Sequence, residues 1–104
     1  MSSTYLLRQP ITDAETNILP SLYTSYFFKS IYISNSHSSA ITVTLGITVG
    51  KSFLQIGDWI VYNQTIAVGS YLKLDNIMVP QNHQLRAIAS VANVVSIVGS
   101  GIME

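Results

Sequence analysis

The chain has 104 residues, of which 48% are hydrophobic and 10% are charged. This length supplies one compact domain, and the high apolar share excludes an intrinsically disordered chain. Five basic and five acidic residues give a formal net charge of zero, so binding to nucleic acid is not expected. The chain has no cysteine, which excludes disulfides, thiol nucleophiles and cysteine-bound metals.

The first twenty residues predict an extended N-terminal arm. Pro10 and Pro20 argue against a central strand, because proline cannot donate to a strand ladder. The first twenty residues contain too many apolar side chains for a free tail, so the arm must cover a surface. We expect residues 1–20 to clasp a neighbouring subunit, or else to fold back as an edge strand of the domain formed by residues 21–104. The side chains expected at that interface are Tyr5, Leu6, Leu7, Ile11, Ile18, Leu19, Tyr23 and Tyr26.

The remaining residues predict strands. Residues 40–49 alternate Ile, Val or Leu with Thr or Gly, which is typical of a half-buried strand. Residues 27–34 also alternate, and the turn-rich residues 35–39 predict an antiparallel hairpin between the two. Further strands are predicted at residues 59–62, 70–74, 84–90 and 94–103, whereas residues 53–56 fit either a strand or a helical turn. The side chains expected in the core are Ile31, Ile33, Ile41, Val43, Leu45, Ile47, Leu72, Leu74, Leu85 and Ile97.

Short strands at a spacing of roughly 8–12 residues, without a helical period, predict an all-β fold. We expect a single antiparallel β-sandwich or jelly-roll-like domain. No apolar run approaches the roughly 18 residues of a membrane helix, and the first eight residues lack the features of a secretory signal, so neither is expected.

No motif in the sequence supports catalysis. Residues 46–52 (GITVGKS) approach a phosphate-binding loop, but the glycine spacing is one residue short and the segment continues a strand pattern. His37 and His83 lie in separate predicted turns without metal-ligand spacing. The carboxylates form no acid and base pair. We therefore expect no enzymatic activity, cofactor, metal or small-molecule substrate.

The predicted surface is neutral and polar. Ser, Thr, Asn and Gln total 33 residues against ten charged ones. A free monomer usually protects its sheet edges with charge. This composition therefore favours an assembly subunit whose edges are covered by copies or neighbours, and the six tyrosines and one tryptophan suit such interfaces.

Five segments in succession carry a family resemblance: KSIYISNS (29–36), AITVTLGI (40–47), YLKLD (71–75), QLRAIAS (84–90) and residues 96–104. The chain resembles small β-sandwich structural proteins of tailed bacteriophages. The resemblance implies a capsid cement (decoration) protein, made in the host cytoplasm and carried on the capsid surface. It also implies a homotrimer that bridges subunits of the major capsid protein. The alternatives are a neck, tail or fibre component, or a small host-recognition module.

Overall fold

The computed structural model describes residues 3–50 and 53–104. Within these ranges the chain forms eight strands and no helix. The strands are β1 (Ser3–Ile11), β2 (Thr16–Asn17), β3 (Tyr26–Asn35), β4 (Ile41–Val49), β5 (Trp59–Ile66), β6 (Tyr71–Val79), β7 (His83–Ala89) and β8 (Val95–Met103).

The strands form two antiparallel four-stranded sheets around one core. The first sheet has the order β1-β8-β3-β6, and the second has the order β2-β7-β4-β5. Among the described strands, only β4 and β5 are consecutive neighbours in one sheet, and every other connection crosses between the sheets. The predicted all-β fold and antiparallel β-sandwich are confirmed.

The predicted core is largely correct. Seven of its ten residues are fully buried, and Ile47, Leu72 and Leu74 are half-buried and pack against them. Their alternation along the strands turns one face of each sheet inward, and the two inward faces meet.

The predicted hairpin between β3 and β4 is wrong. Strand β3 pairs with β6 and β8 in the first sheet, whereas β4 pairs with β5 and β7 in the second. Asn35 holds the crossing between them: its buried amide donates to the carbonyls of Ser39 and Ile66, both at 3.0 Å, and its Oδ1 accepts the His37 N–H at 2.8 Å. The apolar faces of β3 and β4 therefore meet across the core instead of side by side.

The N-terminal segment is part of the sandwich, which corrects the expectation of a separate arm over residues 1–20. Strand β1 pairs along its whole length with β8, and β2 pairs with β7. Pro10 is tolerated because β1 is an edge strand with a single neighbour. Of the two arrangements expected for this segment, the structure has the edge strand. Met1 and Ser2 lie outside the described residues.

Residues 53–56, left open by the sequence, form neither a strand nor a helical turn. Residues 53–55 have no regular structure and residues 56–58 form a turn, in which the Asp58 N–H donates to the Gln55 carbonyl at 3.0 Å. Gly50, with a φ of 62°, ends β4 as the sequence indicated, whereas Lys51 and Ser52 of the GITVGKS segment lie outside the described residues.

Candidate assembly surface

An apolar row crosses the outer face of the first sheet. Thr4 pairs with Ile102, Ile102 with Phe27, and Phe27 with Met78, so that one residue from each strand stands in register. Their side chains point outward because residues beside them in sequence, such as Phe28 and Val79, are buried in the core. Ile102 is 46% exposed and Met78 is 59% exposed. Ile102, Phe27 and Met78 are apolar, whereas Thr4, on β1, carries a hydroxyl; we call these four residues the apolar row.

A shallow depression of about 350 Å³ adjoins the apolar row. The residues that line it are Thr4, Phe27, Lys29, Ser100, Gly101 and Ile102. Gly101 is required at this point, because a Cβ there would overlap the Phe27 carbonyl oxygen. The close approach coincides with a register shift of β3 against β8 between Phe28 and Ser30.

Charges of opposite sign lie on either side of the apolar row. Glu104 extends the ladder beyond β8, since its backbone exchanges two 2.9 Å hydrogen bonds with Ser25. Strand alternation then places its exposed side chain on the same face as Ile102. On the other side of the row, Lys29 lines the depression, and Asp75 stands in register with Ser30, one position from the row. Arg8 and Lys73, which forms an ion pair with Asp75, follow further along the face.

The outer face of the second sheet, by contrast, is covered in part by the protein's own chain, around Arg86 and Gly46. Arg86 points outward from β7, and the Phe53 ring lies over its guanidinium at 4.9 Å. Glu15 accepts from the Arg86 Nε at 2.7 Å and from the Leu54 N–H at 3.0 Å. Gly46 makes room for this cover, because a Cβ there would come within 2.6 Å of the Leu54 side chain.

The edge strands carry features that block pairing with another chain. Strand β2 has two residues, and β1 contains Pro10. Strand β5 shifts register twice against β4 and has Asn63 at a φ of 45°, and β6 has Asn76 at a φ of 56°. Short edges, proline and bulges all disfavour strand addition. The expectation that copies cover the sheet edges is therefore not supported, and faces are the better candidates for contact.

The structure divides the eight side chains predicted for the interface. Five are buried in the core of their own chain and are unavailable to a partner: Leu7, Ile11, Ile18, Leu19 and Tyr26. Tyr5 is half-buried, with its ring 5.1 Å from that of Tyr26. Leu6 and Tyr23 remain, at 57% and 88% exposed; Leu6 lies on the outer face of the first sheet and Tyr23 between β2 and β3. For the buried five, the prediction is corrected.

Sequence reasoning missed Phe27, Met78 and Ile102 as surface residues. A usable signal existed, because each stands beside another large apolar residue within a strand. In a strand, adjacent side chains point to opposite faces, so such a pair places one of the two outside the core.

The remaining candidates from the sequence are not brought together. His37 lies in the connection after β3, whereas His83 begins β7, with its Nδ1 2.8 Å from the Gln81 carbonyl oxygen. In the ranges that the structure describes, no group of three or more His, Asp or Glu residues is placed to hold a metal. Nor is there, in the same ranges, a helix long and apolar enough to span a membrane.

No protein-family profile matches the sequence, and no curated protein matches it. Among solved structures, the chain is similar to one in the T13 particle of infectious bursal disease virus, at a TM-score of 0.52 and 8% identity over 98% of this chain and 30% of that one. It is equally similar to a chain of the Gx strain of that virus, at 0.52 and 8% identity over 99% of this chain and 32% of that one.

A pentameric capsid protein isolated from metagenomic phage sequences also matches, at 14% identity over 95% of this chain and 64% of that one. Its TM-score of 0.39 carries no argument. The chain spans about a third of the length of the viral chains with the higher scores. At these identities, the similarity concerns the fold, which is a β fold also present in virus particles.

Proposed function

We propose that this chain is a non-enzymatic structural subunit of a virion, and that it serves as a capsid cement protein bridging subunits of the major capsid protein. The observation that carries the proposal is the uncovered apolar row on the first sheet. Monomeric proteins rarely expose contiguous apolar patches larger than a few hundred Å² unless a partner covers them. Phe and Met are also enriched at protein interfaces.

The fold supports the same proposal. The order β1-β8-β3-β6 against β2-β7-β4-β5 is that of a jelly roll, an architecture used by viral capsid domains and by lectins. The similarity to chains of infectious bursal disease virus agrees with the first of these uses. The resemblance to small structural proteins of tailed bacteriophages adds the cement role and the capsid surface as its location.

Quantitative mass spectrometry of purified particles from the virus that encodes this chain tests the proposal. A cement protein is expected in a copy number comparable with that of the major capsid protein. Particles made without the chain should assemble and then lose DNA at a lower temperature than complete particles. Absence of the chain from particles would contradict a virion role, and a copy number far below that of the major capsid protein would contradict the cement role.

One observation favours the alternative of a recognition module in the tail or neck. Trp59 and Tyr62, both exposed on edge strand β5, stack with their ring centroids 3.9 Å apart. Exposed Trp and Tyr are suited to contact a ligand or receptor. Particles carrying Trp59→Ala should assemble normally and lose adsorption to host cells if this alternative is correct. Unchanged adsorption would argue against it.

A further inference from the structure

We propose that the outer face of the first sheet binds a second copy of this chain, through a two-fold axis that runs along the apolar row, perpendicular to the strands. The inference makes the proposed function more specific. It rests on that function, because a structural subunit of a virion contacts other copies of the same chain. It names the contacting surface and the orientation of the partner.

The first step concerns which surface is free. Part of the outer face of the second sheet is covered by Phe53, Leu54 and the Glu15–Arg86 pair. The edge strands are protected by bulges, by Pro10 and by the shortness of β2. The outer face of the first sheet has no such cover, and its apolar row places a large apolar side chain on each of β8, β3 and β6.

The second step concerns why the partner is another copy. A two-fold axis along the apolar row places each of its residues against the same residue of the partner, as isologous contacts require. The same rotation reverses the strand direction of the partner. The acidic side of the row, marked by Glu104, then lies opposite the basic side, marked by Lys29, and the pairing occurs twice. In this arrangement Glu104 of each copy lies opposite Lys29 of the other. The apolar residues of the row contact one another along the axis.

The alternative two-fold axis, parallel to the strands, is disfavoured by the same charges. It would place β1 of one copy over β6 of the other. Arg8 stands in register with Val98, Val98 with Tyr32, and Tyr32 with Lys73, so Arg8 would meet Lys73 of the second copy. Like charges placed opposite each other weaken association.

The third step concerns the size of the contact. Four strands at about 4.8 Å spacing are about 19 Å wide, and the row with one position on either side covers about 14–20 Å along them. Such a contact covers roughly 270–380 Å² on each copy, which is smaller than a standard specific interface and fits a weak, transient one. We therefore expect a reversible dimer whose population depends on concentration. The depression beside Ile102 gives the facing side chains room to interdigitate.

Sedimentation velocity of the purified full chain, over a series of concentrations, tests the contact. We expect a monomer–dimer equilibrium. Ile102→Ser should shift it to monomer and lower the melting temperature only slightly, because nearly half of the side chain is in solvent in the monomer. Val98→Ser is the matched control, since Val98 lies on the same strand and face but two row positions away, and should leave the dimer intact.

Two further variants test the orientation. Lys29→Glu and Glu104→Lys should each raise the dissociation constant about five- to tenfold, and the double exchange should restore it, because it recreates both ion pairs. Because the native chain has no cysteine, Ile102→Cys should form a disulfide-linked dimer on oxidation, whereas Val98→Cys should not.

A chain that stays monomeric at about 100 µM, or a trimer that Ile102→Ser leaves intact, would overturn the inference. Failure of the double exchange to restore binding would overturn the orientation. Mass spectrometry of particles separates this from the proposed function. A chain present in virions but monomeric in solution refutes the two-fold contact alone, whereas a dimer absent from virions refutes the virion role alone.

Discussion

The Nε of Arg86 donates to the Glu15 carboxylate at 2.7 Å, which ties strand β7 to the connection between β1 and β2. The Nη1 and Nη2 atoms of Arg86 each donate one further hydrogen bond, to the Gln84 side chain at 2.8 Å and to the Glu15 carbonyl at 3.3 Å. Because Glu15 also accepts the Leu54 N–H, one carboxylate fastens two connections over the second sheet.

Replacing Glu15 with alanine should destabilise the protein by about 1.5–3 kcal/mol. The loss is expected because the largely buried guanidinium keeps its charge while its carboxylate partner disappears. Asp13→Ala is the matched control: it removes an exposed carboxylate from the same connection and should change the stability by less than about 0.5 kcal/mol. Urea denaturation measures both, and equal effects would mean that the ion pair contributes nothing specific.

Adjacent leucines in β1 provide a second test. Leu7 is 1% exposed and belongs to the core, whereas Leu6 is 57% exposed on the outer face. Leu7→Ala should cost about 2–5 kcal/mol, because it leaves a cavity, and Leu6→Ala should cost little. Thermal unfolding of the two variants distinguishes a built-in edge strand from a detachable arm. Similar, small effects would contradict the place of β1 in the sandwich.

The third prediction concerns alkaline pH. Burial raises the pKa of Tyr5 above its ordinary value of 10.0, and the nearby Tyr26 raises it further. Burial also raises the pKa of Tyr26, although hydrogen bonds to the Ser21 backbone and the Thr24 side chain lower it in part. Above about pH 10, the phenols ionise in the unfolded chain before they do so in the folded one, so stability that is fully present below that pH is lost as the pH rises.

Tyr26→Phe keeps the ring and removes the titrating hydroxyl. It should make the fall in the free energy of unfolding above about pH 10 less steep. Tyr23→Phe removes an exposed phenol and serves as the control. Denaturant unfolding across the alkaline range provides the measurement. An identical slope for wild type and Tyr26→Phe would refute the assignment.

Local alternation was enough to predict six of the eight described strands, although β5 and β6 are longer than predicted, and most of the core. In residues 40–49 every second side chain is apolar, and that pattern alone identified Val43 and Leu45 as buried. It did not identify the partner of each strand. Strands that are neighbours in sequence usually pair, and nothing in residues 35–39 indicates that this connection crosses between sheets. Pro10 was misleading for a similar reason, because proline excludes a central strand but not an edge strand.

The candidate surface was harder to predict than the fold. The proposed contact depends on Phe27, Met78 and Ile102 standing in one row, and that row exists only because the register of β3 with β6 coincides with that of β3 with β8. The pairing of Glu15 with Arg86 was equally out of reach, since the two residues are 71 positions apart. Composition indicated an assembly subunit, but it could not say whether an edge or a face makes the contact.

The last prediction concerns Gly101. A Cβ at this position would overlap the Phe27 carbonyl oxygen and come within 2.9 Å of the Phe28 Cα. These are backbone atoms, so the crowding cannot be relieved by rotating a side chain, and β3 must move away from β8. Gly101→Ala should therefore cost about 1–3 kcal/mol or more. Ser100→Ala, on the exposed neighbouring position of β8, should leave the stability nearly unchanged.

A cost of this size corresponds to a fall in melting temperature of roughly 4–8 °C per kcal/mol for a domain of this length. Because Gly101 also lines the depression beside the apolar row, a shift of β3 against β8 should weaken the proposed dimer in the same variant. Differential scanning calorimetry and sedimentation, applied to both variants, measure the two effects. A Gly101→Ala protein with the wild-type melting temperature would show that the close approach of β8 to Phe27 is not a constraint on this sheet.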